Sequence, residues 1–175
     1  MKNLIVISLF IVMLPSQMEA QRDINRFIDR YYDKENVTTV ELSGLLLKMA
    51  ARFVDEEGGK ELLASISRLQ VMAMDGQNHV SAKDLKALKS GVQKKDFEQL
   101  MMIRDGKTTV DFYMKEKKGA ITNLLILVSS KDEFVLLNIK GKLKFRDLRK
   151  LDFNVNGSEH LKKLPKTKTD VPRAN

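Results

Sequence analysis

The second half of the chain alternates between apolar and polar residues at the spacing of β-strands. Within Thr109–Lys115, every second residue from Val110 to Met114 is apolar, so these residues would share one face of a strand whose other face is wet. The run before it, Phe97–Arg104, is also rich in apolar residues. Asp105-Gly106 joins the two runs and is a strong hairpin signal.

The most apolar stretch after the N-terminus, Ile121–Gly141, is compatible at first sight with a membrane span, a buried helix or two strands. Lys131, Asp132 and Glu133 lie in its middle, where charges inside a bilayer are costly. Together with the two serines before them they form a turn signal. We therefore expect two buried antiparallel strands, which makes Phe97–Lys140 a four-stranded meander.

The first half of the chain shows helical spacing instead. The first helix is marked by Ile24, Phe27, Ile28 and Tyr31, the second by Leu42, Leu45, Leu46, Met49, Ala50 and Phe53, and the third, after a break at Gly58-Gly59, by Leu62, Leu63, Ile66 and Leu69. Short strands are predicted at Val37–Leu42 and Gln70–Met74. A capping-box pattern predicts a helix from Ser81 to about Gly91. A last amphipathic helix is predicted at Lys142–Leu151, with its apolar residues inward.

This order of elements predicts an α+β fold, with a mainly antiparallel sheet that includes a four-stranded C-terminal meander and is covered by helices. We assign residues 21–153 to this single domain. Beyond residue 154 the periodicity stops, and residues 154–175 are rich in lysine, threonine and proline. That composition predicts a disordered basic tail.

Residues 1–20 have the layout of a secretory signal peptide. Lys2 precedes the apolar run Leu4–Leu14, and Ala20 offers a cleavage site. The run is shorter than the about 20 residues needed to cross a bilayer. Met18 stands where a small residue is preferred, which leaves an uncleaved anchor as the alternative. After cleavage the chain would start at Gln21 and work in the periplasm or outside the cell.

Composition excludes several classes of site. The 175-residue chain has a formal net charge of +8 and contains neither cysteine nor tryptophan. Without cysteine there are no disulfides, thiolate metal sites, cysteine nucleophiles or lipid anchors on cysteine. Aromatic residues are sparse, which argues against a base-stacking platform and against nucleic acid as a partner.

The basic residues near the C-terminus form the one candidate contact surface in the sequence. Around the last predicted helix lie Lys142, Lys144, Arg146, Arg149 and Lys150. Such a cluster can contact anionic lipid headgroups or polysaccharide. The alternative is a solvated helix face that aids solubility.

The sequence contains no motif for catalysis, a cofactor or a metal, so none of these is expected. His79 and His160 lack neighbours at ligand-like spacing, and the acidic run Asp55–Glu57 lacks the alternating oxygen ligands of an EF-hand loop. Ser129–Lys131 indicates a turn rather than a nucleophile pair. Five methionines on predicted strands belong to the core or to an adaptable apolar pocket: Met72, Met74, Met101, Met102 and Met114.

Four segments carry a resemblance to a known family. They are VTTVELSGLLLKMA, LASISRLQVMAM, FEQLMMIRDGKTTVDFYMKEKKGAITNLLILV and DEFVLLNIKGKLKFRDLRKL. Together they resemble the DUF4252 family, found mostly in exported proteins of Bacteroidota, over Ile24–Leu151. The resemblance implies an envelope or extracellular location and a small α+β domain, and it supplies no catalytic residues. Many members carry a lipid anchor on cysteine, which this sequence lacks.

Three hypotheses for function follow. The first is an exported, non-enzymatic module that binds an envelope protein or an anionic surface component. The second is an enzyme with a scattered site of carboxylates and hydroxyls, which a deep cleft with converging titratable groups would favour. The third is a carrier of a small apolar ligand, which a large dry cavity would favour. A packed core with one exposed apolar patch would favour the first.

Export is directly testable. We expect the native protein to be recovered outside the cytoplasm, with Gln21 as its first residue, because the apolar run ends in a cleavable junction. Cell fractionation followed by N-terminal sequencing measures both features. A cytoplasmic protein that retains Met1 would contradict the prediction.

Overall fold

The structure is a computed structural model that describes residues 19–144, with the side chains described from residue 22 onwards. Its elements follow in the order α1 (Glu19–Tyr31), β1 (Val37–Ser43), α2 (Gly44–Ala50), α3 (Glu57–Ser65), β2 (Ile66–Met74), α4 (Ala82–Gln93), β3 (Glu98–Asp105), β4 (Thr108–Lys117), β5 (Ala120–Ser129) and β6 (Phe134–Leu143). A 3₁₀ turn, Ala51–Phe53, extends α2. Within residues 19–144, no helix is both long and apolar enough to span a bilayer.

The strands form one antiparallel sheet in the order β1-β2-β6-β5-β4-β3. The α+β fold is therefore confirmed, and so is the meander, which is β3 to β6. The predicted Asp105-Gly106 turn joins β3 to β4, and Gly106 has a φ of 57°, a left-handed conformation that glycine adopts without steric cost. The first half of the chain adds β1 and β2 beside β6.

β2 fits between β1 and β6 because glycine allows a close approach at one end. A Cβ on Gly141 of β6 would lie 2.4 Å from the carbonyl oxygen of Ser65, where α3 ends and β2 begins. A Cβ on Gly44 would lie 2.9 Å from the backbone of Ser67. Any other residue at these two positions would push the first turn of α2 and the end of β6 away from β2.

The sheet carries helices on both faces. On one face, here called the α2–α3 face, Leu47 and Leu62 pack with Phe112, Met114, Leu124 and Ile126. On the α1–α4 face, Ile24, Phe27, Leu88 and Val92 pack with Leu125, Leu127 and Phe134. The prediction of a wet face on β4 is wrong, because Asp111 and Lys115 are buried on the α1–α4 face. Partners from α4 and the loop after it satisfy their charges.

The helix start predicted at Ser81 is confirmed, with Ser81 as the N-cap of α4 but without the reciprocal bond of a capping box. The Ser81 hydroxyl accepts a hydrogen bond from the backbone N–H of Asp84 at 3.0 Å, while the Ser81 backbone N–H donates to the Tyr31 hydroxyl at 3.4 Å. The Asp84 carboxylate accepts hydrogen bonds from the Ser81 hydroxyl at 2.8 Å and from the Tyr31 hydroxyl at 2.7 Å, and it pairs with Arg30. The hydrogen bond from Tyr31 lowers the pKa of the Asp84 carboxyl. Ser81 thus caps α4, and Asp84 holds the start of α4 against the end of α1.

Two helix predictions need correction. Leu42 belongs to β1, and the third helix begins at Glu57, includes both glycines and ends at Ser65. Ile66 and Leu69, predicted to be helical, lie in β2, where Leu69 pairs with Leu42 and with Ile139. Pairing on both sides supplies backbone hydrogen bonds and cross-strand contacts that outweigh a short apolar run at helical spacing.

The predicted C-terminal helix is wrong over its first three residues. Lys142 and Leu143 end β6, Leu143 pairs with Ile121 of β5, and Lys144 follows the strand without being helical. The remainder of that predicted helix, from residue 145, lies outside the described residues. The apolar run of the predicted signal peptide and the predicted basic tail lie outside them as well.

Burial of β5 leads to a test of stability. Ile126 is 4% exposed and lies opposite Phe112 and Leu137. We expect Ile126→Asp to lower the free energy of unfolding by more than about 3 kcal/mol, because it buries a charge without a partner. That is a large share of the roughly 5–15 kcal/mol typical of a domain. Urea unfolding measures the difference.

The matched control is Leu45→Asp in the first turn of α2. Leu45 is 70% exposed, so the new carboxylate stays in water and the expected change is within about 0.5 kcal/mol. If Ile126→Asp unfolds at the urea concentration of the parent, the strand is not buried as described.

Candidate interaction surface

The helix α2 is apolar on two opposite sides. Leu47 and Ala51 point into the domain and are buried with the α2–α3 face. The outward side exposes four large apolar side chains, here called the apolar ridge: Leu45 (70% exposed), Leu46 (49%), Met49 (45%) and Phe53 (87%). An isolated exposed leucine is ordinary, whereas a cluster of four on one surface marks a site of interaction.

Helix geometry explains why one side is left uncovered. With 3.6 residues per turn, Leu45, Met49 and Phe53 fall on one side and Leu47 on the opposite side. α2 packs against β1, β2 and α3, all of which lie on the side of Leu47. A helix that is apolar all round is normally buried all round. Among the described elements, none packs on the ridge.

The spacing of these residues predicted a helix without indicating which of its sides is buried. The helix itself is confirmed, with Ser43 as its N-cap. The sequence did contain a signal, because Leu47 and Ala51 are apolar on the other side of the same turns. That pattern predicts that one of two apolar faces stays exposed, although it does not say which.

Basic side chains flank the ridge on one side. Lys48 and Arg52 are both exposed and lie one turn apart, between the ridge and the buried side of α2. After Val54, the chain turns into α3 through the exposed carboxylates of Asp55, Glu56 and Glu57. Basic side chains therefore lie along one side of the ridge, and acidic side chains follow its Phe53 end.

A basic row crosses one end of the sheet. Arg68 of β2 pairs with Ser43 and with Lys140, Lys140 pairs with Asn123, and Asn123 pairs with Lys115. Arg68 contacts Glu41 at 3.3 Å, while the Lys115 ammonium donates to the carbonyl of Lys95 at 3.0 Å and contacts Asp96 at 3.3 Å. We call this side of the sheet, where β1, β4 and β6 end, the basic end.

Two of the five predicted contact residues lie at the basic end. Lys142 is the penultimate residue of β6 and Lys144 follows the strand, and both side chains are exposed. The exposed Lys117 and Lys118, in the turn between β4 and β5, lie at the same end. The other three predicted residues, Arg146, Arg149 and Lys150, lie outside the described residues. The sequence did not predict that the β4–β5 turn would join this group.

Buried polar side chains connect α1 to the sheet beside the basic end. The Asn138 amide donates to Gln70 at 2.8 Å, and the Gln70 amide donates to Asn25 of α1 at 3.2 Å and to Glu41 at 2.9 Å. This hydrogen-bond network connects β1, β2, β6 and α1. Because Asn138 and Gln70 are both buried, losing either partner would leave an amide without its hydrogen bond.

The buried carboxylate on β4 has a structural role. Asp111 pairs with the ammonium of Lys89 from α4 and accepts a hydrogen bond from Gln99 of β3 at 3.0 Å. Both carboxylate oxygens are therefore occupied by protein groups. Next to it, burial and, to a smaller extent, the charge of Asp111 together raise the pKa of the Tyr113 phenol to about 12.

The other candidate residues also have local structural roles. His79 Nε2 lies 2.9 Å from the carbonyl oxygen of Glu35, and Ser130 Oγ accepts the backbone N–H of Glu133 at 3.0 Å in the predicted turn. Across the described residues, no three His, Asp or Glu side chains are grouped to hold a metal ion, and this covers the acidic run after Val54. His160 lies outside the described part.

Four of the five strand methionines pack with the core. Met72 and Met74 are buried on the α1–α4 face and Met114 on the α2–α3 face, while Met101 is half-buried against the latter. Met102 is exposed on β3. These side chains are split between two faces of the sheet, so they do not line one common pocket.

Comparison with known proteins gives a family but no function. The family model described as "Domain of unknown function (DUF4252)" matches residues 31–151, which is more than half of the chain. No curated protein and no solved structure matches the chain.

The raised pKa of Tyr113 leads to a titration test. In the unfolded chain a phenol has a pKa near 10, below that of Tyr113 in the folded state. The contribution of the neutral Tyr113 phenol to folded-state stability is therefore fully present below pH 10 and is lost as the pH rises from 10 to 12. The tyrosinate absorbance is measured against pH for the parent and for Tyr113→Phe. We expect the difference between the two curves to show one phenol that titrates near pH 12. The absorbance is read immediately after a pH jump, before the protein unfolds.

The control is Tyr32→Phe, which removes a half-exposed phenol whose pKa is raised chiefly by its hydrogen bond with Asp33. We expect that phenol to titrate at lower pH than Tyr113. A difference spectrum for Tyr113 that titrates near pH 10 would show that its ring is not buried as described.

Proposed function

This chain belongs to the DUF4252 family, and we propose that it is an exported, non-enzymatic module that binds an envelope protein or an anionic surface component through the apolar ridge. The observation that carries the proposal is the ridge itself. Of the seven large apolar residues exposed in the described part, four lie within the nine residues from Leu45 to Phe53. The other three, Tyr32, Val40 and Met102, are scattered over different elements.

The energetics of the ridge support binding. Removing a Leu, Met or Phe side chain from water contributes roughly 1.5–3 kcal/mol, before the costs of association are subtracted. In this fold the four ridge side chains remain exposed, while Leu47 on the other side of the same helix is buried. A binding partner that covers the ridge would be stabilised by the free energy of burying these side chains.

The buried titratable groups favour binding over catalysis. Asp111 is occupied by Lys89 and Gln99, and Lys115 by Asp96 and a backbone carbonyl. A general acid or base must be within reach of a substrate proton, whereas these groups connect elements of the fold. The carrier hypothesis has less support, since the methionines that might have lined a ligand pocket are divided between the two faces of the sheet.

Site-specific photo-crosslinking in the native cell envelope tests the proposal. A photo-reactive amino acid in place of Phe53 should form adducts with the partner, because the aromatic ring is the most exposed part of the ridge. The matched control places the same amino acid at Lys86, an exposed position on α4. Adducts are detected by gel shift and identified by mass spectrometry.

A second variant separates binding from folding. Leu45→Ser combined with Met49→Ser should reduce the yield of adducts at position 53 several-fold, while the urea midpoint stays within error because both side chains are exposed. Equal adduct yields at positions 53 and 86, or no adducts with protein, lipid or polysaccharide at position 53, would overturn the proposal.

A further inference from the structure

The chain enters the domain at the basic end of the sheet. Asn25, in the middle of α1, contacts Gln70, which is two residues from Arg68 of the basic row. Farther along α1, the ring of Phe27 packs on Phe134 at 5.6 Å, and Phe134 begins β6 at the opposite end. α1 therefore runs away from the basic end, and whatever precedes it is attached there.

The apolar ridge starts at the same end. β1 ends at Ser43 in the basic row, and Gly44, the first residue of α2, is held directly against the backbone of Ser67. α2 therefore leaves the sheet from the basic row itself. Three features lie at this end of the domain: the start of α1, the basic side chains and the first residues of the ridge. The ridge lies outside the α2–α3 face, whereas Arg68 and Lys140 share the α1–α4 face with Lys115.

Charge is distributed unevenly between the two ends of the sheet. The basic end exposes Lys117, Lys118, Lys140, Lys142 and Lys144. Acidic residues there are fewer: Glu41 contacts Arg68, Asp96 contacts Lys115, and Glu98 and Glu116 lie on β3 and β4. At the opposite end, the turns carry Asp75, Asp105, Asp132 and Glu133 against Lys107 and Lys131. The sheet is thus positive at the end where the chain enters and negative at the other end.

We propose that the partner of the ridge is the surface of an anionic lipid bilayer, which the domain meets with its basic end. This inference rests on the proposed function. Apolar side chains on the exposed face of a helix insert at the boundary between headgroups and acyl chains, and each nearby lysine adds about 1 kcal/mol on an anionic surface. Stable attachment needs two such signals, and the ridge and the basic end supply one each.

The charge pattern favours a bilayer over a second copy of the chain. A second copy would bring the same excess of positive charge to the contact, and like charges across an interface oppose association. The carboxylates of Asp55, Glu56 and Glu57 weaken the attraction beyond Phe53, so the contact should involve the side of the ridge that carries Lys48 and Arg52.

Vesicle co-sedimentation tests the inference. The protein is purified after export from its host, so that all variants share the same N-terminus and C-terminal residues. The vesicles contain phosphatidylcholine with or without phosphatidylglycerol. We expect the parent to sediment only with the anionic vesicles, and to be released as added salt shortens the Debye length to a few ångströms.

Two charge-matched variants locate the contact. Lys118→Gln with Lys142→Gln at the basic end should weaken binding roughly tenfold or more, from about 1 kcal/mol for each lysine. Lys107→Gln with Lys131→Gln removes the same charge at the opposite end and should leave binding unchanged. Leu45→Ser with Phe53→Ser should weaken binding at least as much as the first pair, and equal urea midpoints confirm that each variant is folded.

Three results would overturn the inference. They are absence of sedimentation with anionic vesicles, equal losses from the two lysine pairs, and a loss confined to Arg149→Gln with Lys150→Gln, which would assign the attraction to the basic segment beyond the described residues. If position 53 forms adducts with a protein while vesicles do not bind, the bilayer is excluded and the proposed function stands. If both experiments are negative, both fail.

Discussion

The pairing of β2 with β6 joins the two halves of the chain. β3 to β6 are consecutive strands, whereas β2 comes from the helical half and is separated from β6 in sequence by α4 and by β3 to β5. Bringing together segments so far apart in sequence costs chain entropy before any contact forms, so the pairing depends on good contacts along its whole length. The eight paired positions from Ile66 to Met74 and the close approach at Gly141 supply them. Once β2 is in place, β1 completes the sheet, α1 is held on one face, and α2 and α3 are held on the other.

The pairing of β2 with β6 also positions α1 on the sheet. Asn138 and Gln70 face each other across β6 and β2, and Gln70 also holds Asn25 of α1. A buried amide needs its partners, so this network favours one register of β2 against β6 and one placement of α1 over the sheet. A shift of one residue would move Asn138 to the α2–α3 face, where its neighbours are apolar. The polar network therefore adds specificity to a pairing whose stability comes from apolar contacts.

The accuracy of the sequence prediction varied with the range of the interactions involved. Strands β3 to β6 and the turn at Asp105-Gly106 were predicted correctly because period-two alternation and turn chemistry are local. The wet face predicted for β4 was wrong, because Asp111 is neutralised by Lys89, a residue that only the fold brings near. The boundary between α3 and β2 was misplaced for the same reason, since pairing with β6 decides it.

The candidate surface could be predicted only in part. Lys142 and Lys144 were recognised from sequence, but their proximity to Lys117 and Lys118 depends on strand register. The ridge residues were predicted to share one helix, but their exposure was not predicted, because periodicity shows that residues share a face and does not show what covers it. Only the packing of α2 on β1, β2 and α3 reveals that none of the described elements covers its outward side.

The position of the ridge separates its role in binding from its role in stability. Ser43 caps α2, and Gly44 allows its first turn to approach β2 closely. Leu47 and Ala51 are buried on its inward side, so the position of the helix does not depend on its outward side chains. A surface fixed in this way loses little conformational entropy when it is covered, which increases the share of apolar burial that appears as affinity. The backbone of the basic end is fixed in the same way by paired strands and a tight turn, while its exposed lysine side chains keep rotamer freedom and can reach anionic groups at different positions. An apolar ridge on a fixed helix, combined with adaptable basic side chains, suits contact with a broad, laterally uniform surface, where charge attracts the domain and apolar contact retains it.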